Sequence, residues 1–379
     1  MKTPMIKLVA LAVLFTIGSC DSDEKTETPG PEEQESITIS EVQFVNEFIL
    51  PAATVFENTT VGGLSGIDYA NNTWYLISDA PDAPHFYTAA IALNQDGISA
   101  VTITSVNNFK DATGTPLETG ITDPEAIRFA DGNVLWTSEG NMNNLIDPSV
   151  RIAALDGTIR HEITLPERYK ATESSAFGPR HNGVFEGLSL SYDDNGYWVS
   201  MELPLKQDGE EPTLKDTEAP VRIAYIDKAT NTFGKEIAYE LDAVARPALL
   251  GTTFELNGVV EILAYDENKF LVLERSFSTG YADGGNTVKL YKVDATNATD
   301  VSMLETLKGA SYTKATKTLL FDFETVRDQL TENMVDNIEG ITFGPVLENG
   351  NRSLVLVADN NFSAFIPQLN QFILLEILN

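Results

Sequence analysis

Apolar residues in this chain come in short runs broken by Gly, Asn and Asp, and one arrangement of runs recurs five times. Each copy opens with a marked polar position near the start of a run: Leu64-Ser65-Gly66-Ile67, Pro124-Glu125-Ala126-Ile127, Phe185-Glu186-Gly187-Leu188, Val260-Glu261-Ile262-Leu263 and Ile338-Glu339-Gly340-Ile341. A polar turn follows, such as Asn71-Asn72, Asp131-Gly132-Asn133 or Asp193-Asp194-Asn195-Gly196, and then a second apolar run that ends in an acid. The second runs are Trp74 to Asp79, Val134 to Glu139, Tyr197 to Glu202, Phe270 to Glu274 and Leu354 to Asp359. Two such runs around a tight turn predict a β-hairpin. Self-similarity at a long step is how repeat architectures show in sequence.

Further strand-like runs follow most hairpins: Val150 to Leu155 and Ile159 to Leu165, Val221 to Ile226 and Glu236 to Leu241, Val288 to Val293 and Thr318 to Phe323. Four antiparallel strands per unit, repeated radially, predict an all-β chain folded as a β-propeller. The last unit shows one further run, Gln371 to Ile377, so the strand-like segment Ile37 to Leu50 is expected to complete its blade and close the ring. Five blades are visible. The longer later steps hold insertions such as Lys206 to Pro220, or an irregular sixth blade. Val326 and Leu330, four apart, predict a short helix over Phe323 to Met334. A β-sandwich or parallel β-helix fits the long period and four-strand units less well.

The first residues read as an address rather than as fold. Lys2 and Lys7 precede the apolar run Leu8 to Ile17, too short to span a bilayer permanently. Ile17-Gly18-Ser19-Cys20 resembles a bacterial lipobox, which makes 1–19 a lipoprotein signal peptide and Cys20 the lipidated residue. Cys20 is the sole cysteine, so no intramolecular disulfide forms. Residues 20–36 form an acidic disordered tether ahead of a propeller domain over 37–379. The run Asp21-Ser22-Asp23-Glu24 resembles surface-export signals of Bacteroidota lipoproteins. The expected location is the bacterial cell envelope, lipid-anchored at the outer membrane and exposed on its outer face.

Charge narrows the partners. The net charge is −31; residues 1–19 carry two lysines and no acid, and 20–36 one lysine against seven acids, which leaves −27 on 37–379. Such a domain repels nucleic acid and anionic headgroups, so contact with a membrane is expected through the Cys20 lipid alone. In an antiparallel hairpin the start of the first strand lies beside the end of the second. Ser65 is thus expected beside Asp79, Glu125 beside Glu139, Glu186 beside Glu202, Glu261 beside Glu274 and Glu339 beside Asp359, about 5 Å apart. If the first strands line the central channel, nine acids gather at its mouth. They cannot all stay ionised there without protons, arginines or cations. Arg128, Arg180 and Arg275 are too few, and a hard cation with many oxygen ligands, Ca²⁺ before Mg²⁺, fits best. Three histidines and one lipidated cysteine speak against zinc.

No nucleophile elbow, P-loop, dinucleotide fingerprint or zincin motif is present. Metal-assisted hydrolysis is the chemistry these residues best support, and a cation would turn a repelling rim into one that attracts a small anionic ester. The segments Asp123-Pro124-Glu125-Ala126-Ile127, Arg180-His181-Asn182-Gly183-Val184-Phe185-Glu186-Gly187-Leu188, Leu271-Val272-Leu273-Glu274-Arg275, Asn337-Ile338-Glu339-Gly340-Ile341 and Leu356-Val357-Ala358-Asp359-Asn360-Asn361-Phe362-Ser363 together resemble the phytase-like family, described as having esterase-like activity of phytase. The similarity runs from about Gly62 to the C-terminus and implies a propeller distantly related to calcium-dependent phytases. The chain departs from the family's usual pattern at Ser138-Glu139-Gly140-Asn141 and at Gly183-Val184.

On that reading Glu125, Glu186, Glu339 and Asp359 are metal ligands, joined by Glu139, Glu202 and Asp79. Arg275 and Arg180 hold the anionic part of an ester substrate, and His181 or Asn360 orients it. The competing expectation is a non-catalytic propeller that binds a ligand around a structural calcium. Trp74, Trp136 and Trp198 fall at equivalent second-strand positions, which predicts core between blades rather than a sugar platform.

Overall fold

The structure, a computed structural model, describes residues 37–249, 254–363 and 368–378. The segments expected to be signal peptide and tether, with Cys20, lie outside the described residues. Among the described residues no helix is long and apolar enough to cross a membrane.

Five four-stranded antiparallel sheets make the five blades of a propeller. Blade 1 comprises Leu64–Ala70, Thr73–Ser78, His85–Asn94 and Gly97–Asn108, and blade 2 comprises Pro124–Ala130, Asn133–Ser138, Ser149–Ala154 and Ile159–Glu162. Blade 3 comprises Phe185–Leu190, Gly196–Met201, Pro220–Asp227 and Thr232–Glu240, and blade 4 Glu255–Asp266, Lys269–Ser278, Asn286–Asp294 and Thr316–Asp322. Blade 5 takes Asn337–Val346, Arg352–Asp359 and Asn370–Leu378 from the end of the chain, and Glu41–Leu50 pairs antiparallel with Asn370–Leu378 as its fourth strand. Among the described residues no sixth blade forms. The Lys206 to Pro220 insertion is the loop between the second and third strands of blade 3, and blade 4 gains length from longer strands and the segment before Thr316.

The hairpins form where the polar turns predict. Asn71 and Asn72 have φ of 52° and 60°, and Asp131 and Gly132 have 49° and 74°. These are the left-handed pairs that match the twist of two-residue hairpins. The segment from Phe323 is two 3₁₀ turns, Phe323–Gln329 and Thr331–Asn333, which bury Phe323 and Val326. Packing lies between blades: Trp74, Trp136 and Trp198 are buried in three separate apolar clusters. Trp136 stacks on Phe109 with ring centroids 4.0 Å apart.

The first strand of each blade packs close to its neighbours, which fixes small residues at one position. A Cβ on Gly66 would stand 2.7 Å from the Glu125 carbonyl oxygen, and one on Gly340 3.0 Å from the Ile67 nitrogen. Just past that level the axis is filled. Arg128, fully buried, donates to the carbonyls of Ile67, Ile127, Ile262 and Ile341, on four different blades, and pairs with Glu261 at 2.8 Å. Five acceptors around the two terminal nitrogens offset a charge that burial alone would make costly, while Nε has no partner.

Candidate metal centre

The first strand of each blade carries a β-bulge, where an extra residue leaves the ladder and its side chain is re-aimed. Strand register places Ser65, Glu125, Glu186, Val260 and Glu339 in these bulges. The same register sets Asp79, Glu139 and Glu202 just beyond the second strands, Asp359 at the end of its strand and Arg275 within the longer strand of blade 4, opposite Gly63, Asp123, Val184, Asn337 and Gly258 respectively. The expected direct pairing is not observed: Asp79, Glu139, Glu202 and Asp359 each face the residue two before the expected partner, and blade 4 departs further. Glu274 faces Val259 and Glu261 faces Leu273, one residue out of step with the other blades. Neither joins the ring. Glu261 turns to Arg128 and accepts the Leu188 amide at 2.7 Å, while Glu274 accepts from Tyr239, Asn257 and Lys317.

The other candidate metal ligands do meet. Ligand atoms of Asp123, Glu125 and Glu139 lie within 4.8 Å of one another, and so do those of Glu139, Glu186 and Glu202, so Glu139 serves both groups. Asp79, Glu339 and Asp359 continue the ring on blades 1 and 5, close enough to repel one another. Asp123 was absent from the sequence-derived ligand set. It and Asn337 hold the same position in blades 2 and 5, which an alignment anchored on the bulges would have exposed.

The electrostatics follow from burial. Loss of water pushes Glu139 up to about 8, with Glu202 and Asp123 adding repulsion against a hydrogen bond from the Val184 amide. Burial and the Glu339 charge push Asp359 up to about 8. Glu202 and Glu339 rise by burial to about 7, restrained by Arg275. Asp123 rises by burial to about 6. Burial and neighbouring acids hold Glu125, Glu186 and Asp79 well above the carboxylate range. Two buried oxygens, Asp79 Oδ1 and Glu202 Oε2, have no hydrogen-bond partner. An oxygen-only donor set with orphaned carboxylate oxygens suits a hard cation such as Ca²⁺, and the residues fit it.

A family model described as "Phytase-like: Esterase-like activity of phytase" matches residues 59–362. The chain belongs to this phytase-like family. No curated protein matches it. Similar solved structures include a xylan β-1,4-xylosidase from Bacillus halodurans C-125, 10% identical with a TM-score of 0.42, covering 84% of this chain and 53% of its own. A GH43 endo-arabinanase from Bacillus licheniformis is 13% identical with a TM-score of 0.39, covering 82% of this chain and 94% of its own. An endo-1,4-β-xylanase from Bacteroides thetaiotaomicron VPI-5482 is 11% identical with a TM-score of 0.40, covering 82% and 90%. This phytase-like chain thus spans about half the length of the xylosidase.

The candidate substrate residues of the phytase-like site divide. Arg275 lies in the ring, with contacts to Glu202, Glu339 and Asn337. Asn360 borders the ring but is committed to the backbone: its Oδ1 accepts from Gly63 at 2.8 Å and Phe362 at 3.1 Å, joining blade 5 to blade 1. Arg180 donates to the Pro204 and Gly209 carbonyls and pairs with Glu211, fastening the blade 3 insertion. His181 is exposed in the loop before blade 3.

Proposed function

We propose that this phytase-like propeller is a Ca²⁺-dependent hydrolase of phosphate or related esters, working at the ring of acids on its channel mouth. One observation carries the reading: two carboxylate groups sharing Glu139, each with its ligand atoms within 4.8 Å, in a ring that holds two buried, partnerless oxygens. A bound Ca²⁺ would polarise an ester oxygen and lend acidity to a coordinated water. Asp123, Glu125 and Glu139 would hold the reacting ion, because Asp123 is only half-buried and leaves that side accessible. Glu139, Glu186 and Glu202, all buried, would hold a second ion more firmly enclosed. The acids exclude water from neither side by themselves; their part is to fix the ions and to bar polyanions that arrive without them.

The deciding experiment is calorimetric titration of Ca²⁺ into the chelator-stripped full chain and into Glu125→Gln and Glu186→Gln. Binding weakened in both variants, with calcium-dependent hydrolysis of a nitrophenyl phosphate or carboxylic ester, supports the reading. Binding without turnover on either ester class leaves a ligand-binding propeller with structural calcium. No binding at millimolar calcium removes the metal hydrolase altogether.

The N-terminal sequence motivates a place for this activity. Residues 1–19 direct export, Cys20 carries the lipid, and the acidic tether holds the propeller off the outer membrane of a bacterial envelope, on its outer face. Labelling with a radioactive fatty acid, lost in Cys20→Ala, tests the anchor; protease access on whole cells tests the leaflet.

A further inference from the structure

Four of the five equivalent second-strand positions opposite the run-up to the bulge carry acids: Asp79, Glu139, Glu202 and Asp359. The fifth, in blade 4, is Arg275, opposite Gly258 as Asp359 is opposite Asn337. Blade 4 also has Val260 in its bulge, so it gives the ring no acid and one permanent cation. The guanidinium reaches both neighbouring blades. It lies 3.2 Å from Glu202 Oε1 on blade 3 and 3.5 Å from Glu339 Oε1 on blade 5, and it donates to Asn337 Oδ1 at 2.5 Å.

Gly258 makes room for this arrangement. A Cβ there would stand 2.4 Å from Glu202 Cγ, so the absent side chain lets Glu202 lean into the blade 4 sector and meet the arginine. Glu202 Oε2 is left buried and without a hydrogen-bond partner, and Glu202 belongs to the group with Glu139 and Glu186. One oxygen is thus spent on a fixed cation, and the other is left without a partner. An arginine stays protonated at any working pH and offers a planar fork to several oxygens at once.

We propose that Arg275 is a built-in cation that takes the place of a metal ion in the blade 4 sector of the ring, confining exchangeable divalent cations to the two groups that share Glu139. The inference rests on the ring being a calcium site, as proposed above. It also reassigns Arg275: with three partners inside the ring, its task is to neutralise the ring, and the anionic end of a substrate is left to the bound ions.

The test counts calcium ions on the chelator-stripped full chain, by native mass spectrometry and equilibrium dialysis, for the wild type, R275M, R275K and R275M/E339Q. R275M is expected to bind one Ca²⁺ more than the wild type. R275K, which keeps the charge, keeps the wild-type count, and R275M/E339Q returns to it because a carboxylate has gone with the arginine. In chelator R275M melts below the wild type, and millimolar calcium restores the loss. An unchanged or lower count in R275M, or a loss of folding that calcium does not restore, overturns the inference. The two readings separate cleanly. A wild type that binds calcium beside an R275M with an unchanged count removes this inference and keeps the calcium site; a wild type that binds none removes both.

Discussion

The Glu139 carboxylate on blade 2 accepts the Val184 amide of blade 3 at 2.6 Å, so the residue common to both acid groups is held in place by the neighbouring blade. Replacement by glutamine keeps an oxygen for that amide and removes the charge. Glu139→Gln is expected to weaken calcium binding by roughly tenfold or more, and at two ions rather than one, because affinity follows the number of charged ligands. Glu202→Gln should affect a single ion. Calorimetry on the two variants checks the contrast; equal effects would deny Glu139 its shared role.

With calcium removed, stability should fall as pH rises. An unfolded glutamate titrates near 4.5, whereas burial raises Glu139 to about 8 and Glu202 and Glu339 to about 7. Between those values the folded chain binds more protons than the unfolded one. The stabilisation is therefore fully present below about 4.5 and is lost as pH climbs through 7 to 8. Melting temperatures in chelator should drop across that window, and calcium should flatten the drop by holding the carboxylates ionised. A melting temperature that rises through the window in chelator would contradict the ring's burial.

Arg128→Met is expected to destabilise the propeller by about 3–5 kcal/mol, because it strands the buried Glu261 charge. Carbonyls on four blades also lose a donor. Adding Glu261→Gln should recover part of the loss. Urea unfolding of the two single variants and the double variant measures the coupling; simple additivity would mean the pair does not act as a unit.

Gly66→Ala tests the close approach of neighbouring first strands. The new methyl would stand 2.7 Å from the Glu125 carbonyl oxygen and 3.0 Å from Ala126 Cα, both backbone atoms that move only with the blade. The expected cost is about 1–3 kcal/mol. Because Glu125 is the next blade's ring acid, calcium binding should weaken in step, and unaltered affinity in a destabilised variant would uncouple packing from the site.

Most of the architecture was readable because turn chemistry and alternation agree at every hairpin. The Asn and Asp-Gly turns gave the hairpins, and the three tryptophans marked the core between blades. Blade 4 misled for a definite reason. Glutamates occur at 261 and 274, where a repeat of acids was expected, and alternation alone does not reveal which residue a bulge expels. A slip of one residue changes the face on which a side chain emerges, which is how Arg275 comes to sit among the ring acids in place of Glu274. Asp123 was overlooked because it precedes the strand, where hydrophobic patterning carries no information. Arg180 and Asn360 lie in the right motifs, yet their partners are backbone groups brought near only by the fold.

Arg128 makes the ring a cul-de-sac. A guanidinium gripped by carbonyls from four blades leaves the axis stoppered beneath the acids, so solvent and solute share one doorway. On the hydrolase reading, substrate and product would share that passage. With Arg128 across the axis, a chain-like polymer would not thread through the ring, and an end or a small detached piece would be what it admits.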